Sequence, residues 1–228
     1  MDSQLSNRLA QVAAYVPKGV KLLDVGSDHA YLPIFLVETN QISAAIAGEV
    51  VRGPYESALK NVTQSGLAEH IQVRLANGLA AFEEADDVTV ITICGMGGRL
   101  IADILEAGKE KLQGIERLVL QPNNREDDLR AWLSVNAFKI VAETIMAEND
   151  KYYEIIVAEH GEKALSATEL RFGPYLSQEK SVVFKEKWQR EMDKLAYALS
   201  CIPEEKTQER QLLLTKIQQM KEVIVHES

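Results

Sequence analysis

Two carboxylates and an imidazole crowd the end of one predicted strand in the segment KLLDVGSDHAYLP, residues 21–33. Asp24 closes the strand, and Gly26 permits a tight turn with close backbone approach to a ligand. Ser27, Asp28 and His29 follow, where a nucleotide-binding turn keeps small uncharged groups. In a G-x-G-x-x-G fingerprint the second and third glycine positions would here be Asp28 and Tyr31. A carboxylate facing a pyrophosphate repels it by roughly a few kcal/mol in a partly desolvated site. The turn therefore argues against nicotinamide and related cofactors, and fits a ligand that is positively charged at this point.

Three further strand ends add complementary groups. The segment SAAIAGEV ends in Glu49 and Val50, and an acid there can accept hydrogen bonds from both hydroxyls of a ribose. After HIQVRL comes ANGLAAF, in which Asn77 suits an adenine amino group and Gly78 lets backbone lie close. DVTVITICG runs into CGMGG, residues 94–98. Gly95, Gly97 and Gly98 keep side chains away from a ligand, and Met96 offers it an apolar contact. S-adenosylmethionine, a sulfonium carrying an α-ammonium group, matches this set. The fifth strand, ERLVLQP, ends in QPNN, which puts amides at Gln121 and Asn123 on the same rim. Arg52, Arg99 and Arg125 each follow a strand end. Arginine near a helix start opposes the helix dipole, so a phosphate contact suits it there. Plainer roles stand beside these: Asp24 as a turn cap, His29 as a helix-start hydrogen-bonding residue, Cys94 as core, and Arg125 paired with the acids at 126–128.

The elements that must position these groups are legible in the apolar rhythm. Short apolar runs alternate with amphipathic helical patterns through the first 160 residues or so. That rhythm predicts a mostly parallel sheet covered on both faces. KIVAETIMAE, then ND, then KYYEIIVAE reads as a β-hairpin. Five βα units ending in an antiparallel pair give seven strands, where a dehydrogenase sheet would carry a sixth parallel strand. Beyond Gly161 the pattern is helical. SATE at 166–169 is a capping box, and FGPYL interrupts the helix. Phe184, Trp188, Met192, Leu195 and Leu199 then recur at spacings of three and four. Pro203 opens another helix, with Glu204 and Glu205 in its first turn. The expected organisation is a catalytic domain over residues 1–162 and an antiparallel helical hairpin domain over 163–228. Lys187, Arg190 and Lys194 share one stripe of that hairpin and are candidates to grip a nucleic-acid backbone. A solvated face is the alternative. Trp188 lies on the apolar stripe and reads as core.

Bulk properties narrow the class. The 228 residues are 46% hydrophobic and carry a net charge of −9, which excludes a broadly basic nucleic-acid binder. Residues 1–160 hold 14 Lys+Arg against 23 Asp+Glu, whereas residues 161–228 hold 11 of each. A phosphate-bearing substrate therefore needs local patches. Two distant cysteines fit a reducing cytoplasm, and His29, His70, His160 and His226 show no metal-ligand spacing. No transmembrane run and no secretory signal are read.

LDVGSDHAYLP, AGEV with GP after it, ICGMGG, LVLQPN with LRAWL after it, KYYEI and FGPYL together resemble the bacterial tRNA (adenine-22, N1)-methyltransferase family over nearly the whole chain. The turn and GMGG are the most specific parts. The resemblance implies a Rossmann-like class I methyltransferase fold with a coiled-coil-like helical C-terminal domain. It further implies S-adenosylmethionine as methyl donor and a D-arm adenine of tRNA as acceptor. By position it assigns Asp24, Gly26, Asp28, Glu49, Asn77, Gly78, Gly95 and Met96 to the cofactor site, flanked by Ser27, His29, Val50 and Gly97. The commoner methyltransferase turn has three alternating glycines. Here only Gly26 remains, with Asp28 and Ala30 in the other places, a departure shared with the family. Asp28 is the candidate catalytic residue, its alternative being an anchor for the methionine ammonium or the turn backbone. The competing functions are methylation of another acceptor (adenine N6, a small molecule or a protein) and a non-catalytic cofactor- and RNA-binding protein. An oxidoreductase is disfavoured by Asp28 and Tyr31.

Overall fold

The computed structural model describes residues 5–225, so His226 lies outside the described residues. The elements run α1 (Asn7–Ala14), β1 (Lys21–Val25), α2 (Tyr31–Glu38), β2 (Ala44–Glu49), α3 (Arg52–Gln64), β3 (Ile71–Leu75), β4 (Val90–Met96) and α4 (Gly98–Ala107). They continue with β5 (Arg117–Pro122), α5 (Glu126–Val135), β6 (Phe138–Glu148), β7 (Lys151–His160), α6 (Ala167–Phe172), α7 (Leu176–Glu179), α8 (Val182–Ser200) and α9 (Thr207–Val225). Seven strands form one sheet in the order β3-β2-β1-β4-β5-β7-β6. The first five are parallel, and β7 returns antiparallel between β5 and β6. The strand order reverses between β1 and β4, which opens the crevice where such sheets bind ligands.

Both faces of the sheet are buried because its strands are apolar at successive positions. Leu22, Val90 and Val119 enter one core layer; Leu23, Ile91, Leu118 and Leu120 enter the other. The hairpin turn between β6 and β7 is tight because Asn149 and Asp150 both adopt positive φ (50° and 59°), a conformation short polar side chains tolerate. A third apolar cluster joins Ile145 of β6 to Phe172, Leu176, Phe184, Trp188 and Met220, seating the C-terminal helices on the outer strand.

Two elements differ from the sequence reading. The last helix begins at Thr207, not Pro203. Arg210 Nη1 reaches back to the carbonyls of Leu199 (3.0 Å) and Ile202 (2.7 Å), so residues 203–206 form the turn that this bond closes. The N-terminal segment also supplies an unexpected helix, α1, with Val12 and Ala13 buried. It is fixed to the α2–β2 loop by Gln41 Nε2 donating to Ala13 O (2.8 Å), and to the sheet by Arg117 Nη1 donating to Tyr15 O (3.0 Å).

Candidate active site

The β1–α2 turn holds three successive non-glycine residues at positive φ: Asp28 (39°), His29 (68°) and Ala30 (60°). Left-handed backbone costs an L-residue roughly 1–2 kcal/mol, so the turn must be over-determined by its partners. Gly26 N and Ser27 N both donate to Gly48 O, at 2.9 and 3.2 Å. Asp28 N donates to Glu49 Oε1 at 2.5 Å, and Asn61 Nδ2 donates to His29 O at 3.0 Å. Ser27 Oγ and Thr92 Oγ1 each donate to one oxygen of Asp24, both at 2.6 Å. Four elements thus clamp one turn.

The clamp sets two carboxylates in opposite environments. Asp24 is buried. Burial pushes its carboxyl up to about 6, against the pull of the Ser27 and Thr92 hydroxyls. The Asp28 side chain is 83% exposed at the cavity mouth, with the His29 imidazole 3.4 Å away. His29 in turn stacks on Tyr31, ring centroids 5.4 Å apart. Glu49 is also buried, which raises its carboxyl, though the Asp28 N–H draws it down. Its Oε2 has no hydrogen bond among the described residues.

A cavity of about 820 Å³ opens beside this turn. Of the expected cofactor residues, Asp24, Gly26, Ser27, Asp28, Gly95 and Met96 line it. Gly26 is required: a Cβ there would collide with Met96 Cε, and its φ is +66°. Asn77 and Gly78 stand outside the lining but beside Glu49, because Ala76 N donates to Glu49 O at 2.8 Å. Val50 is exposed past the end of β2. Gly97 serves a different neighbour than expected. A Cβ there would lie 2.9 Å from Asn124 Oδ1, and one at Gly98 would collide with the Arg125 carbonyl. These two glycines admit the β5–α5 loop rather than a ligand. Cys94 lines the cavity as an inert thiol, its pKa driven up by burial.

The expected substrate residues divide. Asn123 lines the cavity. Gln121 is fully buried, and both ends of its amide are occupied. It accepts from Arg8 Nη1 (2.5 Å) and Gly95 N (3.0 Å), and donates to Pro122 O (2.9 Å) and Asn123 Oδ1 (3.1 Å). It organises the rim instead of touching substrate. Lys187 is only 13% exposed and donates to Glu154 (2.6 Å) and Glu126 (3.0 Å). Burial alone would depress its ammonium, yet those two carboxylates hold it above the ordinary lysine value. A phosphate contact does not fit Lys187, which ties α8 to the sheet. Arg52 pairs with Glu56, Arg99 with Asp128, and Arg125 with Asp127 and Asp128, all at the surface. Arg190 donates to the neutral Asp150 carbonyl at 3.0 Å, and Lys194 pairs with Glu191.

Arg125, Arg190 and Lys194 line a groove of about 620 Å³ between the start of α5, the β6–β7 turn and α8. Asn123 and Tyr153 line both groove and cavity, so the two lie side by side. The sequence reading missed Tyr153 and Arg8. The apolar spacing of Leu9, Val12, Ala13 and Val16 could have revealed α1, but nothing local links it to the sheet edge.

Comparison with known proteins agrees with this geometry. A profile described as tRNA (adenine(22)-N(1))-methyltransferase matches residues 22–222. The chain is 43% identical, over 99% of both sequences, to the tRNA (adenine(22)-N(1))-methyltransferase of Bacillus subtilis strain 168. It superposes on the crystal structure of the B. subtilis m1A22 tRNA methyltransferase TrmK with a TM-score of 0.90 (40% identity, 98% of this chain and 100% of that one). A Streptococcus pneumoniae protein solved in complex with S-adenosyl-L-methionine matches at a TM-score of 0.92 (62% identity, 97% and 100% coverage). TrmK of M. capricolum, solved with S-adenosyl-homocysteine, matches at 0.87 (30% identity, 96% and 97%).

Proposed function

The chain belongs to the tRNA (adenine(22)-N(1))-methyltransferase family, and from that premise we propose how its own residues carry the reaction. The enzyme uses S-adenosylmethionine to methylate N1 of adenine 22 in tRNA. The residues fit that cofactor: buried Asp24 beside the turn suits an ammonium, the unpartnered Glu49 oxygen suits a ribose hydroxyl, and the absence of a Cβ at Gly26 leaves room beside Met96. When bound, it supplies a sulfonium methyl to the in-plane lone pair of N1, the C–S electron pair leaving on sulfur and the methylated base becoming cationic.

Asp28 is the residue we assign to the acceptor. Asp24 is buried in the cavity wall and Glu49 is buried behind the turn, where it accepts from Asp28 N, whereas the Asp28 carboxylate stands exposed at the mouth of that cavity. This is the observation that carries the assignment. Neutral N1 needs no proton removed before attack, so the task of Asp28 is electrostatic: it faces the N6 side of a base that gains positive charge. A preorganised group aimed at developing charge is worth about 3–4 kcal/mol, or roughly 100- to 1000-fold in rate. Asn123 and Tyr153, shared by groove and cavity, align the incoming base. Adenine N1 is paired in a duplex, so the base is captured unstacked.

The groove is the proposed path of the tRNA backbone, with residues 163–228 as the helical domain that contacts it. Among the described residues no carboxylate pairs with Arg190, and the surface pairs of Arg125 and Lys194 are weak enough to exchange for phosphate. Among the described residues no helix is long and apolar enough to cross a membrane, and no cluster of His, Cys, Asp or Glu could hold a metal. We place the protein in the cytoplasm with its substrate.

The test is Asp28→Ala, assayed with labelled S-adenosylmethionine and unmodified tRNA, the site mapped by primer extension. Turnover should fall about 100- to 1000-fold while S-adenosylhomocysteine affinity changes little. Equal losses in both would remove the catalytic role.

A further inference from the structure

We infer that Arg171, in the last turn of α6, and the indole N–H of Trp188, on α8, together seat one phosphate of the tRNA backbone. This rests on the groove reading above and fixes one contact within it. Both residues line the groove. Among the described residues, two buried side-chain polar atoms have no hydrogen-bond partner, Arg171 Nε and Trp188 Nε1. Buried polar groups are nearly always paired, so two unpaired ones in the same groove call for a reason. Both are donors on side chains that cannot accept a hydrogen bond. The group that satisfies them is therefore an acceptor, and beside a guanidinium an anionic one is favoured.

The two donors are fixed as one unit. The Arg171 guanidinium lies over the Trp188 ring, with Cζ 5.5 Å from its centroid and 5.8 Å from that of Phe172. Phe172 meets Trp188 edge-on, ring centroids 4.6 Å apart. Phe172 and Trp188 are only 2% and 6% exposed, so neither ring is free to turn away. Stacking on an aromatic face orients a guanidinium without using its N–H groups. Lys187, whose ammonium lies 5.0 Å from the centroid of the same Trp188 ring, is instead committed to Glu154 and Glu126. The surroundings favour an anion as well. Six Lys and Arg line the groove against four Asp and Glu, in a chain whose net charge is −9. Three of those four carboxylates, Glu126, Asp127 and Glu191, are already paired with Lys187, Arg125 and Lys194. A planar fork with free donors, backed by a buried indole N–H in a locally basic groove, is suited to phosphate oxygens.

The experiment uses the full chain and two measurements. In the first, the nuclear magnetic resonance signal of the Trp188 indole N–H, assigned with Trp132→Phe, is followed as inorganic phosphate or unmodified tRNA is added. Chloride at equal ionic strength is the control. Phosphate and tRNA should both move the signal downfield, chloride should not, and Arg171→Met should abolish the response to phosphate. In the second, tRNA affinity is measured across salt concentrations. Arg171→Met should weaken tRNA binding about 10- to 100-fold and lower the slope of log affinity against log salt by roughly 0.7–0.9, with S-adenosylhomocysteine binding unchanged. Arg171→Lys should keep the slope but recover only part of the affinity, since an ammonium lacks the planar fork. If Arg171→Met lowers affinity with the slope intact, Arg171 only supports the packing around Trp188 and the inference fails. It fails equally if tRNA leaves the Trp188 signal in place. A response to phosphate combined with unaltered tRNA binding in Arg171→Met would make this a seat for a free anion and overturn the tRNA assignment. A wild-type affinity that is itself flat in salt would instead overturn the groove reading on which the inference rests.

Discussion

Replacing Lys187 with methionine tests the reassignment of that residue from RNA contact to domain anchor. The ammonium sits in a buried cluster: Lys187 on Glu154 Oε1 (2.6 Å), Arg130 Nη2 on Glu154 Oε2 (2.5 Å), and Arg130 Nε on Glu143 Oε1 (2.8 Å). The Arg130, Glu143 and Glu154 side chains are at most 1% exposed. Two buried cations therefore face two buried carboxylates, with the mostly covered Glu126 as the second partner of Lys187. Methionine fills a similar volume but leaves one negative charge uncompensated. Breaking a buried pair costs about 3–5 kcal/mol. Arg130 still holds Glu154, so the lower end, about 3 kcal/mol, applies. A chain of this size loses roughly 2–4 °C per kcal/mol, so Tm should fall by about 6–12 °C. Lys194→Met, which breaks only an exposed pair, should shift Tm by no more than about 4 °C. Adding Glu154→Gln to Lys187→Met removes the orphaned charge and should restore part of the loss. Thermal unfolding followed by circular dichroism reads all three. A Lys187→Met protein that melts within about 2 °C of wild type, or no lower than Lys194→Met, would refute the anchoring argument.

The remaining predictions concern ligands. Asp24 is raised from 3.8 to about 6 in the folded protein, so between those values the native state holds a proton that the unfolded chain does not. Its contribution to ligand-free stability therefore grows as pH falls through that window and is lost as pH rises through about 6. Cofactor affinity runs the other way: an ammonium favours ionised Asp24, so calorimetric affinity for S-adenosylhomocysteine should decline as pH drops below about 6, and Asp24→Asn should flatten the profile. For tRNA, log affinity should fall steeply with log salt, and Arg190→Glu with Lys194→Glu should lower that slope by roughly 1.5 while leaving S-adenosylhomocysteine binding intact. A flat salt response in the wild-type protein would remove the groove from the tRNA path.

Sequence and tertiary structure determined different things here, and the division follows the range of the interactions involved. The strand–helix alternation, the β6–β7 hairpin and the acidic β1–α2 turn were readable because periodicity and turn chemistry act over a few residues. A sheet then carries successive strand ends to one edge, so the sequence alone groups Asp24, Gly26, Asp28 and Met96. Side chains whose meaning depends on a distant partner were not readable. Lys187 lies on a helical stripe beside Arg190 and Lys194, and only the approach of Glu154 and Glu126, 33 and 61 residues away, turns it inward. Gln121 looked like a rim amide until Arg8, 113 residues earlier, occupied its oxygen. The chain alone decided which chemistry gathers at the edge of the sheet. Packing decided which of its charges face a ligand, because burial and pairing are set by whatever the fold brings alongside.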